Sequence, residues 1–156
     1  QVLRPIVDAK DLSAIEKMRR YFDTAGRWKV AQKKFMLDLF RVWRADANAI
    51  MRQKQEVASI KRIAPMLTEI IRQGIDEGVF STKYPEQFGN IFVGLSHGFE
   101  DKFVELLLTD HPPPDAVQQL EALIGAYSDS VERILGAPSG SLPLGNIATM
   151  KEWLPK

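Results

Sequence analysis

Apolar residues recur three and four positions apart along almost the whole chain, and no stretch follows the two-residue alternation of a strand. Val2, Leu3, Ile6 and Val7 form a stripe on what reads as a helix tail over Gln1 to Ala9. Ser13 and Glu16 then stand in capping-box relation, so a helix is predicted from Ala14, with Ile15, Met18, Phe22 and Ala25 on its apolar face. Glu16, Lys17, Arg19 and Arg20 oppose them as a solvated face, and Gly26 is expected to break the helix. From Trp28 a second pattern carries Val30, Phe35, Leu39, Val42 and Trp43, with Met36 and Phe40 adjacent. This face is wide enough to pack between several helices or to line a cavity. It should end near Ala45, where Asp46 is a good N-cap for the next helix.

The longest pattern runs from Asp46 to Glu77: Ile50, Val57, Ala64 and Ile71 fall seven apart, with Gln53, Ile60, Leu67 and Gly74 in the complementary register. Pro65 lies inside it and predicts a kink or short break just before that residue, because it removes one backbone donor. Gly78 is placed to close the helix. Pro85, followed by Glu86, opens another at the favoured first position, and a stripe from Phe88 to Leu107 carries it to Leu108. On a second face Gly94 and Gly98 would permit close helix packing. His111 and the three prolines after it form a rigid connection to a clean amphipathic helix over Asp115 to Leu135. Residues 137–145 are loop by composition, and Asn146 to Leu154 fits one short helix. The fold predicted is an all-α helical bundle of five or six helices, with residues 1–136 as the body and 137–156 as a C-terminal loop and short helix packed on it.

Composition narrows the function. At 156 residues with a net charge of +1, the chain lacks the bulk basic excess of a nucleic-acid binder, and with no Cys it has neither disulfides nor thiolate chemistry. No apolar run reaches the ~18 residues needed to cross a bilayer, so no membrane partner is expected and a cytoplasmic location is the default. The first residue is Gln, and Gln1 to Asp8 reads as the inside of a helix, which suggests that something precedes it. His97 with Glu100 and Asp101 could form a two-ligand metal edge, but a helical di-metal site needs a second half that the sequence lacks. Ser96 and His97 are neighbours on a helix and point about 100° apart, so they make no nucleophile–base pair. No metal, no cofactor and no catalytic activity are expected. What remains is a surplus of aromatic and Met residues with isolated polar groups such as Asn48, Gln53, Asn90 and His97, a composition suited to an apolar ligand held by few hydrogen bonds.

The stretch Gln73-Gly74-Ile75-Asp76-Glu77-Gly78-Val79-Phe80, followed by Tyr84-Pro85-Glu86, resembles the Q-G-x-x-E-G-x-F motif of TetR/AcrR-family transcriptional regulators. Ala14 to Phe22 is similar to the first helix of that family's regulatory domain. The resemblance implies the C-terminal effector-binding and dimerisation domain of a repressor. Its last two long helices would form a four-helix interface in a homodimer, with Gly94, Gly98, Leu120, Ile124, Tyr127 and Val131 at the contact. It also implies a small, largely apolar effector between the helices at Ala14–Ala25, Trp28–Trp43, Asp46–Gly78 and Pro85–Leu108. Trp43, Met51, Phe92 and His97 are the residues placed by face to line that cavity. DNA would be bound only through an N-terminal helix-turn-helix that this chain lacks. The alternative is an all-helical protein–protein interaction module without a small-molecule site.

Overall fold

The computed structural model describes residues 3–43, 48–109, 111 and 113–153. Among them are seven helices and no strand: α1 (Arg4–Asp8), α2 (Ala14–Ala31), α3 (Lys33–Trp43), α4 (Ala49–Asp76), α5 (Pro85–Leu108), α6 (Ala116–Leu135) and α7 (Ile147–Lys151). The all-α architecture agrees with the sequence pattern. The expected helix end at Ala45, the cap at Asp46, and the docking of Val2 and Leu154 lie outside the described residues.

Several boundaries differ from expectation for physical reasons. The second helix does not stop at Gly26 but continues to Ala31, carrying Trp28 with it. A Cβ at Gly26 would meet open space, so this glycine costs only its propensity, about 1 kcal/mol, which the surrounding turns absorb. The break falls at Gln32, whose N–H turns back to the Lys29 carbonyl at 3.1 Å. In α4 the helix runs unbroken through Pro65. Its buried residues, Leu67, Thr68, Ile70, Ile71 and Gly74, all lie after that proline, whereas Ile50 and Val57 are exposed. Of the heptad-like pattern in the first half of α4, Ile60 and Ala64 are half-buried, whereas Ile50 and Val57 stay exposed.

Helices α4 and α5 pack antiparallel in one register, marked by the Glu56–His97 pair, by Ala64 against Gly89, and by Thr68 beside Pro85. Gly89 is the close approach: a Cβ there would collide with the Ala64 side chain and backbone. Two apolar clusters form the interior. One gathers Met18 and Tyr21 of α2, Leu67, Ile70 and Ile71 of α4, Phe88 of α5, Val131 and Leu135 of α6, and Leu142 of the C-terminal loop. The other joins Met36 and Phe40 of α3 to Phe103, Val104, Leu120, Ile124 and Trp153. Trp153 is wedged between Phe40 and Phe103, 6.3 and 5.8 Å away between ring centroids. The loop before α7 is tied to α6 by the buried Glu132 carboxylate, which accepts from the Gly140 and Leu142 amides at 2.8 and 2.7 Å.

Candidate regulatory site

The motif at the end of α4 is a clasp. Gly78, at φ +73, ends the helix. The Val79 N–H bonds back to the Gly74 carbonyl at 2.9 Å and the Gly78 N–H to the Ile75 carbonyl at 3.0 Å, the paired pattern of a Schellman stop. Gly74 is bare because the Phe80 ring lies over it, and Phe80 is thereby buried in the first cluster. Gly74 thus admits its own following turn, not a neighbouring helix. The two polar positions of the motif reach across to the start of α2. The Glu77 carboxylate accepts from the Ala14 N–H at 2.9 Å, and the Gln73 amide donates to the Leu12 carbonyl at 2.9 Å and to Glu77 at 2.6 Å. A carboxylate at a helix N-terminus satisfies an orphan donor and opposes the positive end of the dipole. Ser13 also caps α2, accepting from the Glu16 N–H at 3.3 Å, so the helix start is held from inside and outside.

Helix α1 is tied to the same region. The Arg4 guanidinium meets both Glu69 oxygens at 2.8 and 2.9 Å, and its hydrogen bond to Asp8 holds that carboxyl below its usual value. Lys17 is not on a solvated face. It is buried, and its ammonium donates to the Val7 carbonyl at 2.7 Å, near the C-terminal end of α1. One end of α4 therefore grips both α1 and the entry to α2.

The four residues expected to line an effector cavity do not converge. Phe92 faces α2, its ring 5.0 Å from that of Phe22. His97 faces α4, with Nδ1 3.3 Å from Glu56 Oε1. Trp43 is half-buried at the end of α3, where its carbonyl accepts from Arg52, and Met51 is exposed. Periodicity missed the partners that matter locally: Phe22 and Phe88 on either side of Phe92, and the Lys29–Glu100 bridge at 2.8 Å between α2 and α5. Two concavities stand out among the described residues, and both are wide open. One, of about 440 Å³, lies between α6 and the loop before α7, and includes Glu121, Gly125, Asp129 and Pro143. The other, of about 430 Å³, sits at the α2–α3 corner beside Gln32, Lys34, Phe35 and Asp38. No cluster of His, Asp and Glu fit to hold a metal ion occurs among the described residues.

The residues assigned to a dimer contact separate into two sets. Leu120 and Val131 have no exposed surface, and Ile124 is buried, because all three face the two apolar clusters of their own chain. They cannot reach a second copy without opening the interior, which corrects that part of the expected contact. Gly94 and Gly98 are exposed on α5. A Cβ at Gly94 would meet nothing, whereas one at Gly98 would touch the Tyr127 hydroxyl. That hydroxyl donates to the Leu95 carbonyl, so Tyr127 first of all fixes α6 to α5 within the chain, and its burial raises the phenol pKa.

The fold and the clasp define an all-helical domain, in which the long helix α4 joins the entry of α2 to the long helices α5 and α6. A family model described as tetracyclin repressor-like, C-terminal domain, matches residues 33–107. Over those residues, just under half of the chain, the sequence is similar to that family of C-terminal domains. No curated protein and no solved structure matches the chain. No helix among the described residues is long and apolar enough to cross a membrane.

Proposed function

We propose that the chain is the effector-binding and dimerisation domain of a TetR-like transcriptional repressor acting in the cytoplasm. An N-terminal helix-turn-helix outside this chain would bind the DNA, and a small, largely apolar ligand would control it. The observation that supports this most directly is the clasp. Gln73 and Glu77 couple the inner end of α4 to the segment through which a preceding domain would connect. A ligand shifts such a system only by binding one arrangement of α1 and α4 better than the other. The test is an operator-binding assay on the parent protein with its N-terminal domain. DNA binding that is released by a small molecule supports the reading, and failure to bind any operator-like DNA contradicts it.

Dimerisation is proposed through α5 and α6, using the side each leaves open: Ile91, Gly94 and Gly98 on α5, with Ala122, Gly125 and Ala126 on α6, all exposed. Small residues let helices approach closely, and a contact between the same faces closes as a twofold dimer. Sedimentation equilibrium should show a dimer that Ala126→Arg converts to monomer with unchanged helicity. A wild-type monomer at tens of micromolar would remove this part. The second reading, an interaction module without a small-molecule site, is favoured by the two packed clusters and the open concavities. Operator release by a protein partner in place of a small molecule would support it.

A further inference from the structure

Charge is segregated along the chain. Residues 17–62 hold thirteen Lys and Arg against four Asp and Glu, whereas the whole chain is only +1. Among the described residues, six of the eight large apolar side chains that remain exposed fall in the same stretch: Trp28, Phe35, Val42, Ile50, Met51 and Val57. The geometry is ordered. On α3, Phe35, the half-buried Leu39 and Val42 lie at i, i+4 and i+7, opposite the inward Met36 and Phe40. On the first half of α4, Ile50, Lys54, Val57 and Lys61 follow one another at i, i+4, i+7 and i+11 and are all exposed. The facing ends of the two helices are tied where Asn48 Nδ2 donates to the Val42 carbonyl at 2.7 Å.

Exposed apolar surface rimmed by charge marks a binding site, and the sign of the rim selects the partner. Phosphates alone would answer the lysines but leave Phe35, Val42, Ile50 and Val57 against a charged surface. Several of the thirteen cations are answered within the chain, among them Lys17, Arg27, Lys29 and Arg41, but a neutral apolar molecule would make no use of the exposed Lys54 and Lys61 beside the stripe. We infer that the α3–α4 face binds a soluble anionic amphiphile, an alkyl chain ending in a carboxylate or phosphate. The chain lies along the Phe35–Val42 and Ile50–Val57 stripes, and the head pairs with Lys54 and Lys61. This rests on the effector reading above and names the ligand class for it.

The test is calorimetric titration of the 156-residue chain with dodecyl phosphate, kept below its micelle-forming concentration. Dodecyl maltoside serves as the neutral control with the same tail. Expected are saturable one-to-one binding and a loss of affinity of about tenfold or more for both the neutral control and the Lys54→Glu/Lys61→Glu variant. Both lysines are exposed, so the variant should keep its helicity. A second variant, Ile50→Ser/Val57→Ser, should weaken the binding as well. Absence of saturable binding, or equal affinity for the neutral control, overturns the assignment. So does association with anionic phospholipid vesicles without binding of monomeric dodecyl phosphate. If another compound releases the parent protein from its operator while dodecyl phosphate fails to bind, the effector reading stands and this assignment alone falls.

Discussion

An added methyl at Gly74 would overlap the Phe80 ring, and the ring has no room to retreat because Phe80 is buried in the first cluster. Alanine at position 74 should gain about 1 kcal/mol of helix propensity but lose more by overpacking, which typically costs about 1–3 kcal/mol. Gly74→Ala is therefore expected to lower the urea midpoint, whereas Gly94→Ala, opening onto empty space, should raise it when unfolding is followed on the monomer. Tyr21 makes a contrasting case. Its hydroxyl is buried without a hydrogen-bond partner, and desolvation pushes its pKa up to about 12. Because the unfolded state ionises near the ordinary value of 10 while the folded state holds its proton, stability should fall as pH rises from about 10 to about 12. Tyr21→Phe should flatten that fall and cost little or nothing at neutral pH, as read by denaturation at a series of pH values. The helix stop at Gly78 was legible in the sequence because only glycine readily takes a positive φ. The job of Gly74 was not, since what it accommodates is a ring six residues later in a turn whose path the sequence leaves open.

At the scale of elements, the α4–α5 pairing decides most of the structure, and one glycine sets its register. The sequence pointed to Gly94 and Gly98 as the close-packing pair; Gly98 does lie close against the Tyr127 hydroxyl of α6, whereas Gly94 faces open space and the α4–α5 approach falls at Gly89 against Ala64. A glycine's spacing tells that a close approach is possible, not which of several helices makes it. The same limit misplaced Leu120, Ile124 and Val131: periodicity shows that a face is apolar, and leaves open whether its own chain or a second copy covers it. Pro65 follows the Gly89 contact at once and denies the Lys61 carbonyl its helical donor. Pro65→Ala should restore that bond and raise stability by about 1–3 kcal/mol, seen as an increase in Tm with unchanged far-ultraviolet circular dichroism. A decrease would mean that the proline ring itself packs in a way its exposure does not indicate.

For the whole molecule, helix order and fold class were readable from the chain because three- and four-residue periodicity is strong in every long segment. The site was not, because it depends on which helices meet. Every residue from Ala49 to Gln55 is exposed, and the outer end of α4 is tied to α3 by Asn48 and Arg52 on the Val42 and Trp43 carbonyls, while its inner end is gripped by α1 and α2 through Glu69, Gln73 and Glu77. The contact with Gly89 lies between them, about 22 Å from Ala49 and about 18 Å from Asp76 at 1.5 Å per residue. Helix α4 is thus held along α5 from Glu56 to Thr68, with Gly89 as the closest approach in the middle of that contact. A helix held this way leaves no free lever: α3, α5, α1 and α2 each grip a different part of its length, so these neighbours together fix where its two ends lie.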